Sequence, residues 1–172
     1  SLRMLQQACL STATITSMVF TLLLGAAVFS IVFRILGGED LVHALLSNLP
    51  GGTMGALISV MLVMFLLGFV LDTFEVIFII IPITAPVLLG MDVDPVWLGV
   101  LVGINLQTSF MTPPFGFSLI YLRGVAPASV TTGMIYRGAV PFVALQLIGL
   151  GIVMAFPELS TWLPAQVFRN GG

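Results

Sequence analysis

Four residues inside one long apolar stretch could bind a cation or interrupt a helix: Gly68, Asp72, Thr73 and Glu75. Burying a carboxylate in a membrane is expensive, so an acidic residue in such a stretch points to function unless it is paired. Asp72 and Thr73 would offer carboxylate, hydroxyl and carbonyl oxygens, the hard donors that cations such as Na⁺ prefer. Glu75, one helical turn further on, could instead pair with an arginine or reach toward a polar cavity. Gly68, Asp72 and Thr73 therefore predict a cation site.

A second run, Thr112 to Gly116, contains two adjacent prolines, Pro113 and Pro114. Proline has no N–H group and clashes with the preceding turn, so a regular helix cannot pass through this run. The carbonyls four residues before the prolines are predicted to lack helical partners and to face a ligand. The alternative is an ordinary kink, the usual effect of a proline in a membrane helix. Asn105 could line the same site, although an interhelical hydrogen bond explains its amide equally well.

The composition places these residues in a membrane. Of 172 residues, 59% are hydrophobic and 7% are charged, whereas a soluble domain is about 25% charged. Five basic residues and a net charge of -2 offer no basic patch for nucleic acid. Cys9 is the single cysteine and His43 the single histidine, so neither a disulfide framework nor a histidine cluster is available. We find no serine elbow or metal-ligand spacing, and we predict neither an enzyme nor a cofactor.

The distribution of apolar residues predicts an all-α polytopic membrane protein. A spanning helix needs about 20 apolar residues, and residues 10–33 and 138–155 are assigned as spans. Residues 40–49 are amphipathic and too short to cross, so they are predicted to lie along the interface. Residues 96–122 are predicted to form a span that the double proline breaks. Residues 1–8 have the composition of a connecting loop.

Residues 55–89 are too long for one straight crossing. A continuous helix of about 35 residues would be about 50 Å long, against a hydrocarbon core of roughly 30 Å. The stretch is either one span with protruding ends or a re-entrant hairpin whose two half-length arms meet near Asp72. Irregular backbone at membrane depth is tolerated only where protein covers it or water reaches it. We predict the hairpin, and its tip would then mark a site.

Several motifs resemble the C-terminal part of the large membrane subunit of tripartite ATP-independent periplasmic (TRAP) transporters. The resemblance covers nearly the whole chain, including the segment GAAVFSIVF near Gly25. The motifs that carry it are the tip from Gly68 to Thr73, the pair Pro82 and Pro86, the start with Asp94, Pro95 and Trp97, and the break from Thr112 to Gly116.

The resemblance implies one inverted repeat of an elevator-type, sodium-coupled importer in the bacterial inner membrane. The implied partners are the N-terminal half of the same subunit, a small four-helix membrane subunit, a periplasmic solute-binding protein and membrane lipid. The implied substrate is a small organic acid such as a dicarboxylate, a sugar acid or a keto acid. Na⁺, the coupling ion, would bind at Gly68, Asp72, Thr73 and Thr112. The sodium and substrate site as a whole would comprise Gly68, Asp72, Thr73, Asn105, Thr112, Pro113, Pro114 and Gly116.

Two other functions remain open from the sequence. The chain could belong to a sodium-dicarboxylate symporter that needs no binding protein, or to a scaffold subunit that packs through glycine-rich faces. A scaffold has no reason to keep a carboxylate and a double proline at matching membrane depth. In the implied topology Arg3, Arg123 and Arg137 lie in the cytoplasm, and the count of arginines on the two sides weakly agrees.

Overall fold

The computed structural model describes residues 2–69, 71, 73–112, 117–127 and 129–169, with the backbone alone at 117, 168 and 169. All regular secondary structure in these residues is helical, so the predicted all-α class is confirmed. The helices are α1 (Leu2–Ile35), α2 (Gly38–Ser47), α3 (Gly52–Leu67), α4 (Thr73–Glu75), a π-helix (Val76–Ile80), α5 (Ile81–Gly90), α6 (Pro95–Met111), α7 (Phe117–Val125), α8 (Thr132–Ala155) and α9 (Glu158–Arg169).

Helix α1 begins at Leu2, eight residues before the predicted start of the first span. The prediction of a connecting loop is therefore wrong for residues 2–8. This segment is rich in leucine, methionine, glutamine and alanine, which favour helix, and its polar residues do not interrupt the helical hydrogen bonds. At the other end, Gly37 adopts a left-handed conformation with φ 76°. Arg34 and Glu39 then join α1 to α2 through an ion pair of 2.9 Å.

Helices α2 and α3 meet at an angle of 115°. The corner contains Gly51 and Gly52, whose φ angles of 98° and 59° are strained for residues with a side chain. Helix α2 starts two residues earlier than the predicted interfacial segment 40–49 and also ends two residues earlier. Its Leu46 packs into the core. One face of α2 is therefore held by the protein.

Residues 52–90 form a helical hairpin. Helix α3 is the first arm, and α4, the π-helix and α5 form the second arm, Thr73–Gly90. Thr53 at the start of the first arm donates a hydrogen bond of 3.3 Å to the carbonyl of Met91, just beyond the end of the second. The arms have 16 and 18 residues, each about half of the stretch as predicted, and at 1.5 Å per residue they are about 24 Å and 27 Å long.

The second arm is not a regular α-helix. Val76–Ile80 are wound as a π-helix, and Pro82 follows in the first turn of α5. Pro82 has no N–H group to bond the carbonyl four residues earlier, and a wider turn there relieves the mismatch. Thr84 donates its hydroxyl to the carbonyl of Ile80 at 2.9 Å. The irregularity therefore lies directly before Pro82, about one turn beyond the tip.

Helix α6 has well-defined ends. The Asp94 carboxylate accepts hydrogen bonds from the N–H groups of Val96 and Trp97 at 2.8 Å and 2.9 Å. After Met111 the chain leaves the helix, because Thr112 adopts an extended conformation with φ -88° and ψ 127°. That conformation is the one favoured for a residue that precedes proline. Of the residues 96–122 that were predicted as one broken span, 96–111 lie in α6 and 117–122 lie in α7.

Helix α8 starts at Thr132, six residues before the predicted segment 138–155. Thr131 caps it by accepting a hydrogen bond of 3.3 Å from the N–H of Met134. The Trp97 indole N–H donates 2.8 Å to the Val153 carbonyl and joins α6 to α8.

The hairpin and α6 form the core, and the outer helices carry the exposed apolar surface. Met64, Leu88 and Leu101 are fully buried between these elements. Leu24 of α1 and Leu145 of α8 are 69% and 64% exposed, as are many other large apolar side chains. Such a surface is stable only against lipid or further protein. In length and composition α1, the second arm and α8 can each cross a membrane, and the bent pair α2 and α3 would make a fourth span.

Candidate functional site

The candidate site lies where the hairpin tip and the end of α6 meet. Helices α3 and α6 run side by side in the same direction, because Met61 contacts Asn105 and, further along both helices, Gly68 contacts Ser109. Helix α3 leads into the tip and α6 leads into the break. Both interruptions of regular helix therefore lie at the same end of this parallel pair.

Gly68, directly after α3, lies in close contact with Ser109 of α6. A Cβ atom at Gly68 would clash with the Ser109 hydroxyl and would lie 2.8 Å from the Ser109 Cβ. Glycine is required here by space, since the φ of Gly68 is an ordinary -64°. The contact brings the turn after α3 against the last turn of α6.

Asn105 is buried between the same two helices, with 1% of its surface exposed. Its side-chain N–H donates to the Met61 carbonyl at 2.9 Å. The interhelical hydrogen bond that the sequence left open is therefore present. This bond fixes the register of α3 against α6, and a role for Asn105 in binding sodium or substrate stays a prediction.

Three hydroxyl groups line the last two turns of α6, those of Thr108, Ser109 and Thr112. Each donates its hydrogen to a carbonyl of its own helix: Thr108 to Ile104 at 2.7 Å, Ser109 to Leu106 at 3.0 Å and Thr112 to Thr108 at 2.7 Å. A hydroxyl that donates to a carbonyl keeps its oxygen lone pairs as acceptors. These hydroxyls are therefore oriented to present oxygen, not hydrogen, to a ligand.

One predicted feature of the break is wrong. The carbonyl of Ser109, four residues before Pro113, was expected to lack a partner. It accepts a hydrogen bond of 3.1 Å from the Thr112 N–H, because the last turn of α6 tightens before the chain becomes extended. The first proline of the pair thus leaves no free carbonyl at Ser109.

The remaining predicted residues divide into two groups. Thr73 is the first residue of the second arm and is partly buried, and Gly68 ends the first arm. Both are therefore at the tip. Asp72, Pro113, Pro114 and Gly116 lie outside the described residues, so their proposed roles stay predictions.

Glu75 lines a separate cavity on the other side of the second arm. This cavity of about 340 Å³ is bounded by Glu75, Phe74 and Phe78 of the second arm and by Thr21 and Gly25 of α1. The structure therefore brings Glu75 beside α1.

A second cavity, of about 390 Å³, lies between the hairpin arms and α6. Its lining is almost entirely apolar and includes Met64, Ile81 and Gly103. A carboxylate would find no charged partner among its described lining residues. This cavity is consequently a poor site for an organic anion, despite its volume.

Sequence analysis missed two residues of this region. Ser109 was passed over because its partner Gly68 lies far away in the chain. Gln146 of α8 was also missed, although its side-chain N–H lies 3.7 Å from the Met111 sulfur beside the break. It is the sole amide or charged side chain between residues 138 and 155, a signal that could have singled it out.

The donor set suits a hard, singly charged cation. No cluster of three or more histidine, cysteine, aspartate or glutamate residues occurs in the described part of the chain, so a transition-metal site has no support there. The described donors beside the tip and break are hydroxyl oxygens of α6 and Thr73. Such neutral oxygens fit Na⁺, and the Asp72 carboxylate predicted for the tip would add to them.

The described residues define a polytopic α-helical membrane protein. In it the turn after α3, at the hairpin tip, lies against the last turn of α6, which leads into the break. The sequence model of one family, "Tripartite ATP-independent periplasmic transporter, DctM component", matches residues 1–159. The chain belongs to this family. The predicted resemblance is thereby confirmed, and the chain is part of a transporter and not an enzyme.

Individual relatives agree with the family. The chain is 31% identical over 113 residues to the C4-dicarboxylate TRAP transporter large permease protein of Vibrio cholerae. The matched residues cover 66% of this chain and 24% of that relative. It is 27% identical over 161 residues to the ectoine/5-hydroxyectoine TRAP transporter large permease protein of Ruegeria pomeroyi, covering 93% and 37%. It is 27% identical over 156 residues to the sialic acid TRAP transporter large permease protein of Vibrio cholerae, covering 89% and 35%. The chain thus spans well under half the length of these relatives.

Proposed function

We propose that this chain forms one repeat of the permease subunit of a sodium-coupled secondary transporter that imports small organic acids. In this proposal the substrate is delivered by a periplasmic binding protein, and the permease works with a small membrane subunit in the bacterial inner membrane. The N-terminal part of the permease supplies the other half of the substrate site. The tip and the break move as one body when the site changes its access from one side of the membrane to the other.

The contact of Gly68 with Ser109 carries this proposal. It brings the tip of a hairpin against the end of a broken helix, and interrupted helices at matching depth are how secondary transporters make sites for ions and substrates. A scaffold subunit needs no such arrangement. The hydroxyl oxygens of Ser109 and Thr112, with their hydrogens turned back into α6, are suited to receive Na⁺.

Helix starts beside the site support an anionic substrate. The second arm begins at Thr73, directly after the tip, and α7 begins at Phe117, directly after the break. The N-terminus of a helix carries partial positive charge and unpaired N–H groups, which attract a carboxylate. An organic acid could therefore be bound without an arginine or lysine at the site. The names of two relatives, which specify C4-dicarboxylate and sialic acid, agree with this substrate class.

The test replaces the Thr112 hydroxyl in the complete permease. Thr112→Val keeps the shape of the side chain and removes its oxygen, whereas Thr112→Ser keeps the hydroxyl. Loss of one cation ligand should raise the Na⁺ concentration for half-maximal uptake on the order of tenfold, equal to about 1.4 kcal/mol. The measurement is initial uptake of a radiolabelled dicarboxylate or sialic acid as a function of Na⁺.

The matched control is Thr14→Val. Thr14 lies on the exposed surface of α1 and donates to the Leu10 carbonyl at 2.9 Å, the same backbone bond that Thr112 makes to Thr108. It should leave the Na⁺ dependence unchanged. Normal Na⁺-dependent uptake by Thr112→Val would contradict the proposed site.

A further inference from the structure

Gln146 is a polar side chain in an otherwise apolar helix. It is the fifteenth of the 24 residues of α8, which places it within about 4 Å of the middle of the helix along its axis. A polar group at this depth cannot be hydrated by bulk water if α8 crosses the membrane, so it needs a partner from the protein. The role of Gln146 can therefore be inferred from the groups that lie near its amide.

The side-chain nitrogen of Gln146 has a hydrogen-bond partner in the structure, whereas its side-chain oxygen has none among the described residues. Its side-chain N–H faces the Met111 sulfur at 3.7 Å, and a thioether is a weak acceptor. Its side-chain oxygen Oε1 is buried and has no hydrogen-bond partner among the described residues. Unpaired buried oxygens are uncommon in folded proteins, and each one requires an explanation.

The contact of the amide nitrogen with Met111 limits where a hydrogen-bond partner for Oε1 can lie. Met111 is the last residue of α6, and Thr112 is already extended. The oxygen and nitrogen of an amide are about 2.3 Å apart, so Oε1 lies within about 6 Å of the Met111 sulfur. Because Oε1 is buried within this chain, neither lipid nor another subunit can reach it. Its partner must therefore come from the interior, near the end of α6.

We propose that Gln146 is a positioning residue for the cation site at the break, an inference that rests on the proposed function. Its N–H contacts Met111 at the end of α6, and its buried oxygen adds a partial negative charge within about 6 Å of the Met111 sulfur, next to Thr112 in the chain. In a low-dielectric interior such a dipole favours a nearby cation. Gln146 thus raises the affinity of the site for Na⁺ without any change of net charge.

The test compares three variants of the complete permease. Gln146→Met has a similar volume and no polar group, Gln146→Glu keeps a carbonyl oxygen, and Gln7→Leu removes an exposed amide near the start of α1. We expect Gln146→Met to raise the half-saturating Na⁺ concentration between about threefold and tenfold, the range that one oriented polar group supplies. Gln146→Glu should retain more of the Na⁺ affinity than Gln146→Met. Gln7→Leu should match the wild type.

The readouts separate positioning from packing. A residue that only packs α8 against α6 would change the amount of folded permease and the maximal rate, but not the half-saturating Na⁺ concentration. Wild-type Na⁺ dependence in Gln146→Met would therefore overturn the inference and leave the proposed function intact. Uptake by the wild type that ignores Na⁺ would instead contradict the proposed function itself.

A shorter amide provides the decisive variant if Gln146→Met does not reach the membrane. Gln146→Asn keeps the amide chemistry and withdraws its oxygen by one methylene group. A raised half-saturating Na⁺ concentration, at a level of folded permease measured by fluorescence-detected size exclusion, would support the inference. An unchanged value would overturn it.

Discussion

At the scale of single residues, the hydroxyl and N–H donors just before the break are already hydrogen-bonded to carbonyls. The hydroxyls of Thr108, Ser109 and Thr112 all donate to carbonyls of α6, and the Thr112 N–H donates to Ser109. These four donors are thus bonded within the chain, and the three hydroxyls keep oxygen lone pairs for a cation. This is the arrangement expected of a site that must hold an ion without a large rearrangement of donors.

Gly68 provides the residue-scale prediction. Gly68→Ala should destabilise the permease by about 1 to 3 kcal/mol, the usual effect of overpacking, because the added Cβ meets Ser109. Thermal unfolding in detergent measures the change, and uptake should fall with it. The second substitution Ser109→Gly removes both clashing atoms and should restore part of the stability.

The control for this pair is Gly149→Ala in α8. A Cβ at Gly149 has no atom within 4 Å, so this substitution should be neutral or slightly stabilising. If Gly68→Ala unfolds at the wild-type temperature, the close approach of α3 and α6 is not required for stability.

Residue types in the sequence identified part of this site. Gly68 and Thr112 were chosen because glycine, hydroxyl and proline residues stand out in an apolar stretch, and both border the contact between tip and break. Ser109 and Gln146 were not chosen, since their importance depends on which residues face them across helices. That pairing is set by the register of α3, α6 and α8, which periodicity within one helix cannot give.

At the scale of elements, helix ends are defined by local chemistry. Asp94 caps α6, and the proline after Thr112 ends it, so the limits Pro95–Met111 follow from neighbouring residues. The start of α1 was missed because its first turns are polar, although polar residues such as glutamine favour helix. The start of α8 was missed for a similar reason, since Tyr136 and Arg137 precede the apolar run 138–155.

Asp94 supplies the element-scale prediction. Asp94→Ala removes the acceptor for the N–H groups of Val96 and Trp97 and should cost about 1 kcal/mol of stability. Asp94→Asn should retain most of the stability, because asparagine also caps helices well. Thermal unfolding of the purified permease is the measurement.

A control for the loss of negative charge is provided by the neighbouring acidic residue, Asp92. Asp92 is exposed and adopts a positive φ of 64°, which asparagine tolerates, so Asp92→Asn removes a charge without backbone strain. It should unfold near the wild-type temperature. An equal loss in Asp92→Asn and Asp94→Ala would indicate that charge, and not capping, stabilises this end of α6.

At the scale of the whole molecule, the described part of the chain carries one hairpin tip and one break between helices. It covers 24% to 37% of the lengths of the three relatives described above. Large apolar side chains are exposed along both α1 and α8. A substrate site shared between two repeats would therefore be incomplete in this chain alone.

The corresponding prediction concerns the chain expressed alone. Residues 1–172 should insert into the membrane, as judged by resistance to carbonate extraction, but should not take up substrate. Uptake should return when the N-terminal part of the permease is co-expressed with the small membrane subunit and the binding protein. Na⁺-dependent uptake by the chain alone would show that one repeat suffices and that the proposed division of the site is incorrect.

The length of α1 has a consequence for how the molecule sits in lipid. Its 34 residues form a helix about 51 Å long. Even at a steep tilt of 40°, it would rise about 39 Å along the bilayer normal, against roughly 30 Å of hydrocarbon. An excess of about 9 Å along the bilayer normal, or roughly 12 Å of helix at that tilt, must then extend into the headgroups. The N-terminal turns, with Arg3, Gln6 and Gln7, are the polar end suited to that position. Hydrophobic mismatch therefore couples the inclination of α1 to bilayer thickness, and thinner membranes should tip it further from the normal.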